Sequence, residues 1–263
     1  MPFPDSPKVI YKKNTIDRVI CQLRFPPLLK IDSEIPAAFQ ERIRADFPNL
    51  PEPEEPNIKI PQVIRQGFPA EVIRHVMPAQ AKNYEFSSED EKLRINLTRS
   101  FIALTSKDYR RGSEFRQKLQ GPLQALIDIY KPAGFSRVGL RYINIIDRKA
   151  LDVESLAWKE LLQPHVLGLL GSDIHGDVQG LDVKYEVRLN DGSSVVRITM
   201  GLVELKGQDE DTFMIDLDLY STQKMDHTSA EGKLGYFQVE ASKAFRWMIT
   251  DKLHNAMEPE DAE

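Results

Sequence analysis

The stretch Asp182-Val183-Lys184-Tyr185-Glu186-Val187-Arg188-Leu189, then Asn190-Asp191-Gly192-Ser193, then Val196, Ile198 and Met200 decides the fold class. Apolar side chains at 183, 185, 187 and 189 alternate with charged ones at 182, 184, 186 and 188, so an extended chain sends the two sets to opposite faces. Asn and Gly accept the left-handed backbone that tight hairpin turns need, so two such runs around Asn190-Asp191-Gly192-Ser193 read as a β-hairpin. Phe213, Ile215, Leu217 and Leu219 alternate in the same way with Met214, Asp216, Asp218 and Tyr220. An apolar face backed by a charged one describes an antiparallel sheet covered on one side and wet on the other.

Working outward, residues 136–145 form the strand that opens this half, and residues 153–163 read as a helix with Val153, Leu156, Ala157 and Leu161 inward. A glycine-containing loop follows. A closing helix is expected from about Leu234 to His254, burying Phe237, Ala241, Ala244, Phe245 and Met248. The N-terminal half has the same order. Residues 18–25 form a strand that Pro26-Pro27 ends, because proline cannot donate to a ladder and restricts its predecessor. Ser33 is placed as the N-cap of a helix with Ile35, Phe39, Ile43 and Phe47 on one face. Five prolines and the acidic run Glu52 to Glu55 mark the span from Pro48 to Pro61 as a loop. Segments 58–66, 82–87, 92–98 and 101–106 read as a meander, and Ser113 as the cap of a long helix carrying Phe115, Leu119, Leu123 and Leu126.

The expected organisation is a leader (1–17), a first α+β half (18–134), a second α+β half (135–256) and a tail (257–263). The fold class is α+β: two similar strand-helix-strands-helix halves form a curved, saddle-like antiparallel sheet with helices on one face. This order resembles the saddle of the TATA-binding protein, a likeness of fold that carries no function.

Of the 263 residues, 41% are hydrophobic and 29% charged, as in an ordinary folded protein. A net charge of -5 argues against nucleic acid as a partner. No apolar run approaches the eighteen residues of a membrane span, so no membrane association is expected, and the proline-rich start does not suit a signal peptide. The single cysteine, Cys21, lies in an apolar run and reads as a small core side chain in a reducing, cytoplasmic setting.

Val-Ile-Cys-Gln-Leu-Arg-Phe-Pro-Pro at 19–27, paired with Arg-Val-Gly-Leu-Arg-Tyr-Ile-Asn at 137–144, resembles an uncharacterised, sporadically distributed prokaryotic family of about this length. The resemblance covers essentially the whole chain and brings no catalytic residues. Its patchy distribution implies an accessory or defence-related role.

No dinucleotide-binding, P-loop or serine-hydrolase motif is present, and the five histidines lack zinc-helix spacing. His175, in Gly171-Ser172-Asp173-Ile174-His175-Gly176-Asp177, reads as part of a connection. No catalytic residue and no cofactor is assigned. Arg24 and Arg141 follow leucines in the first strands of the two halves; with Leu23, Phe25, Leu140 and Tyr142 facing the helices, both guanidinium groups project from the open face, where Arg94 and Arg197 join them. Such a set either binds a carboxylate or phosphate on a ligand or partner, or pairs with Asp216, Asp218 and Glu186 and merely solvates the sheet. The expected function is therefore a non-enzymatic binding or protein-interaction module for a protein or small anionic ligand, with a homodimer through an edge strand or the sheet as one arrangement. The alternative is a metal-dependent phosphodiester hydrolase using Asp182, Lys184, Asp216 and Asp218. Whether a ligand cavity lies between sheet and helices is not readable from sequence.

Overall fold

The computed structural model describes residues 2–50, 82–204 and 212–261. Along the first half run β1 (Val9–Tyr11), β2 (Ile16–Arg24), α1 (Leu29–Ser33), α2 (Ala37–Ile43), β3 (Tyr84–Ser87), β4 (Leu93–Thr98), β5 (Phe101–Ser106) and α3 (Gly112–Tyr130). The second half continues with β6 (Arg137–Ile146), the short helices α4 (Trp158–Leu161) and α5 (Pro164–Leu167), β7 (Asp182–Arg188), β8 (Ser194–Val203) and β9 (Thr212–Ser221). It closes with α6 (His227–Met248), α7 (Asp251–Ala256) and β10 (Pro259–Asp261).

Eight strands form one antiparallel sheet in the order β3-β4-β5-β2-β6-β9-β8-β7. β2 and β6, the first strands that the two halves give to this sheet, lie at its centre, and outward from there the pairings correspond: β2-β5-β4-β3 on one side, β6-β9-β8-β7 on the other. β2 and β6 join the halves in register, with Cys21 opposite Leu140 and Ile20 opposite Arg141.

Strand alternation fixes which face is dry. Val19, Cys21 and Leu23 of β2 are fully buried, as are Ile215 and Leu219 of β9, and Leu140 and Tyr142 of β6 are nearly so. The long helices α3 and α6 cover this face: α3 inserts Phe115, Leu119, Leu123 and Leu126, and α6 inserts Leu234, Phe237, Ala241, Ala244, Phe245 and Met248. Burial at this helical spacing supplies most of the stability of such elements. Burial pushes the Cys21 thiol up to about 12, which keeps it protonated and unreactive.

Several local expectations are corrected. Ser33 ends α1 by donating to the Lys30 carbonyl instead of capping the next helix, and Ile35 is 78% exposed, whereas Phe39, Ile43 and Phe47 are buried. α3 begins at Gly112 with Arg111 as its uncapped flank, so Ser113 sits inside its first turn. In place of a helix over 153–163 there are turns and the single turn α4, entered through Asp152 in the left-handed region (φ 57°). The closing helix starts earlier, where Asp226 accepts from the Ser229 N–H, and it stops at Met248. There Ile249 turns extended and bridges to Leu162, and Thr250 caps the separate α7. The strand expected at 58–66 lies outside the described residues. The residues read as leader and tail meet: β1 pairs antiparallel with β10 in a two-stranded ribbon. Among the described residues no helix is long and apolar enough to cross a membrane.

Candidate functional site

The open face carries the arginines that the sequence singled out, and it engages most of them internally. Cross-strand register places Glu186, Arg197, Asp218 and Arg141 in one row over four neighbouring strands, with charges alternating along it. Arg141 makes a bidentate pair with Asp216 at 2.8 and 2.5 Å, Arg197 holds Glu186 at 2.8 Å, and Arg94 holds Glu85 at 3.1 Å. Arg24 alone of the four has no side-chain partner among the described residues. The sequence did not single out Arg137. It donates to both Asp218 oxygens at 3.3 Å and to Gln22 at 3.2 Å, and it lies over the Tyr220 ring at 4.8 Å.

Asp216 and Asp218 are thus each neutralised by guanidinium groups, and Asp182 and Lys184 stand two strands away on β7. Among the described residues no group of three or more histidine, cysteine, aspartate or glutamate side chains is arranged to hold a metal ion. Cross-strand charge pairing accounts for these carboxylates.

The concave feature lies on the other side of the sheet. A chamber of about 430 Å³ opens between the middle of the sheet, the start of α3 and the face of α6, within the size range of small-ligand sites. Tyr142 and Asn144 of β6 and Leu217 of β9 form its floor, Gln238, Val239 and Phe245 of α6 one wall, and residues 8–11 its roof. The loop into α3 supplies Tyr109, Arg110 and Arg111, and the helix itself Arg116.

The charge of this lining is one-sided. Lys8, Arg110, Arg111 and Arg116 contribute four cations, and none of the described lining residues is acidic. Arg110 reaches Asp108, outside the lining, at 3.8 Å, whereas Lys8 and Arg111 have no side-chain partner among the described residues. The first turn of α3 also lacks a side-chain cap, which leaves N–H groups and the positive helix end at the same place.

A polar chain runs inward from there. Arg116 donates to the Gln238 side-chain oxygen, the Gln238 amide donates to the Tyr109 hydroxyl at 3.4 Å, and Tyr109 and Tyr142 hydroxyls meet at 3.2 Å. Gln238 reaches this position because Gly112 has no side chain to block it; a Cβ there would overlap the Gln238 amide. Burial raises the phenol pKa of Tyr142 well above its ordinary value and raises that of Tyr109 as well, so both stay neutral hydroxyls. Asn144 is held by Thr15, which donates to its side-chain oxygen, and by its own donation to the Ile215 carbonyl. At the roof, the Tyr11 hydroxyl meets His254 Nδ1 at 2.8 Å, and burial carries its pKa up to about 12.

Apolar side chains (Ile10, Ile16, Leu217, Val239 and Phe245) complete the lining. The chamber offers fixed positive charge at its mouth, neutral hydroxyl and amide groups within, and an apolar body. Sequence reasoning missed the basic cluster because Arg110, Arg111 and Arg116 straddle a loop and a helix start, while Lys8 comes from the far end of the chain. The run Tyr109-Arg110-Arg111-Gly112-Ser113 ahead of an amphipathic helix was the available signal. The chain matches no protein-family model and no curated protein sequence.

Proposed function

We propose that this chain is a binding module whose chamber holds a small amphipathic anion, a carboxylate or phosphate carried on an apolar body. The observation that carries this reading is the lining: four cationic side chains, no acid among its described residues, and two of the cations without an internal partner. Uncompensated guanidinium groups beside a cavity suit a carboxylate or phosphate, which they grip bidentately. The open face is the weaker candidate, because its arginines other than Arg24 already hold carboxylates of the same sheet. No covalent step is assigned. We further read the corresponding order of the two halves as a duplicated unit, and the accessory or defence-related setting as what the family resemblance brings.

Thermal unfolding with matched eight-carbon probes tests the binding reading. Octanoate and octyl phosphate at about a hundred times their Kd stabilise the protein by roughly 2.7 kcal/mol, a Tm rise on the order of 5–10 °C. Octanol and octylammonium leave Tm where it was, and Arg111→Glu, at an exposed position, removes the response to both anions. Equal shifts with all four probes, or anion responses that survive Arg111→Glu, overturn the reading.

A further inference from the structure

Among the described residues strand β7 has β8 on one side and no strand on the other, so its outer backbone N–H and C=O groups are unpaired within that sheet. Its sequence, Asp182-Val183-Lys184-Tyr185-Glu186-Val187-Arg188, is symmetric in shape and opposite in charge about its middle residue. Val183 mirrors Val187, Lys184 mirrors Glu186, and Asp182 mirrors Arg188. The even-numbered side chains share the open face and the odd-numbered ones the helix face.

We propose that this edge is a homodimer interface, in which two copies join their β7 strands antiparallel about a two-fold axis at Tyr185 and continue one sheet through both molecules. In that register residue 182 of each chain stands opposite residue 188 of the other, and 184 opposite 186, so all four cross-strand charge pairs unite opposite signs. The flanking registers fail. Centring on Lys184 sets Asp182 against Glu186, and centring on Glu186 sets Lys184 against Arg188, like charges in both cases. The pattern thus selects one register as well as one partner.

Three further observations fit a second copy. Asp182, Lys184 and Arg188 have no side-chain partner among the described residues, so their charges are free for an outside strand. Glu186 is held by Arg197 at 2.8 Å, which fixes it on the open face. Tyr185 is 51% exposed although it shares the helix-side face with Val183 and Val187, and the dyad sets it against its own copy. Edge strands usually carry charge to repel other strands, but charge arranged in this antisymmetric way is complementary to an antiparallel copy of itself.

Sedimentation velocity over a concentration series, with light scattering for mass, tests the interface. Wild type is expected as a dimer. Asp182→Arg and Arg188→Asp each create two like-charge pairs and raise the dimer Kd by tenfold or more. Mixing the two variants restores both pairs in a heterodimer, which neither variant matches alone. Both positions are exposed, and an unchanged Tm confirms each fold; Tyr185→Lys, which sets two like charges on the axis, is a second route to the monomer. A wild type that stays monomeric at about 100 µM, a dimer indifferent to all three substitutions, or variants that fail to recombine on mixing would each overturn the proposal. Because β7 lies two strands from β9, the nearest strand of the chamber floor, octanoate binding is unchanged in these variants, whichever way the dimer result falls.

Discussion

Gly139 and Gly201 both lie inside strands, and their neighbours make them unequal. A Cβ on Gly139 would fall 2.5 Å from the Arg137 guanidinium, the far end of a long side chain that is able to swing away. A Cβ on Gly201 would fall 1.8 Å from the Leu181 carbonyl oxygen, which is backbone and itself accepts the Leu202 N–H at 3.1 Å. Gly139→Ala is therefore expected to cost about 1 kcal/mol, through displacement of Arg137 from Asp218 and the Tyr220 ring, and Gly201→Ala about 3 kcal/mol or more, through backbone overlap. Urea denaturation of the two variants measures the difference, and equal losses would show that Arg137 is clamped as rigidly as backbone. At the same scale, alternation left two readings of the open-face arginines, a ligand site or pairing with Asp216, Asp218 and Glu186, and the structure shows the second for Arg141 and Arg197. Alternation says which way a side chain points, but their partners come from register, and no single strand's sequence states its register.

The β7–β8 hairpin shows how one element is anchored by its turn. Asp191 accepts from the backbone N–H groups of Ser193 and Ser194, from the Ser194 hydroxyl and from Lys233 of α6 at 2.7 Å, so the turn is tied to the helix layer. Burial alone would raise its carboxyl pKa, but these donors outweigh it and bring the value down to about 2. A carboxylate depressed from 3.8 contributes stability that is complete above about pH 4 and is lost as pH falls towards 2. The shift equals about 2 kcal/mol at face value, and solvent screening at a surface turn reduces the expected contribution to about 1 kcal/mol. Asp191→Asn should thus be less stable than wild type at pH 7 by about that amount, and the two should converge near pH 2; a constant gap across the acid limb would sink this account. Elements with strong periodicity, such as this hairpin, β9 and α3, were legible because one face of each is buried at a fixed spacing. The breaks were not. Nothing apolar distinguishes 153–163 from a helix, and the stop at Met248 comes from Ile249 leaving to bridge Leu162 and from Thr250 donating to the Glu160 carbonyl, both distant in sequence.

At the scale of the whole molecule, the ends of the chain close the site. β1 supplies the chamber roof, yet among the described residues it has no partner within the main sheet; its ladder is with β10. Three pairings, Val9 with Asp261, Ile10 with Glu260 and Tyr11 with Pro259, hold the ribbon, together with backbone bonds from Lys12 to Glu258 and from Lys13 to Met257. Lys12 pairs with Glu260 at 3.1 Å and Lys13 with Glu258 at 3.2 Å, both at exposed positions where ion pairs contribute little. Besides Tyr11, which meets His254 and packs edge-on against Phe245, the roof is held by a short, half-buried ribbon, the kind of segment that opens locally at small cost while the sheet stays folded. Ordering it over a bound anion draws on the binding free energy, and removing its partner strand increases that demand. A chain ended after Met257 is accordingly expected to keep its urea midpoint within the equivalent of about 1 kcal/mol, since the main core is untouched, but to bind octanoate roughly tenfold more weakly. Hydrogen exchange supplies the complementary reading: in the full chain, octanoate slows exchange at residues 9–11 and 259–261 together, and in the shortened chain the protection of 9–11 falls. Full octanoate affinity without β10 would mean that the ribbon is not the roof's support, and that the chamber is closed by β1 alone.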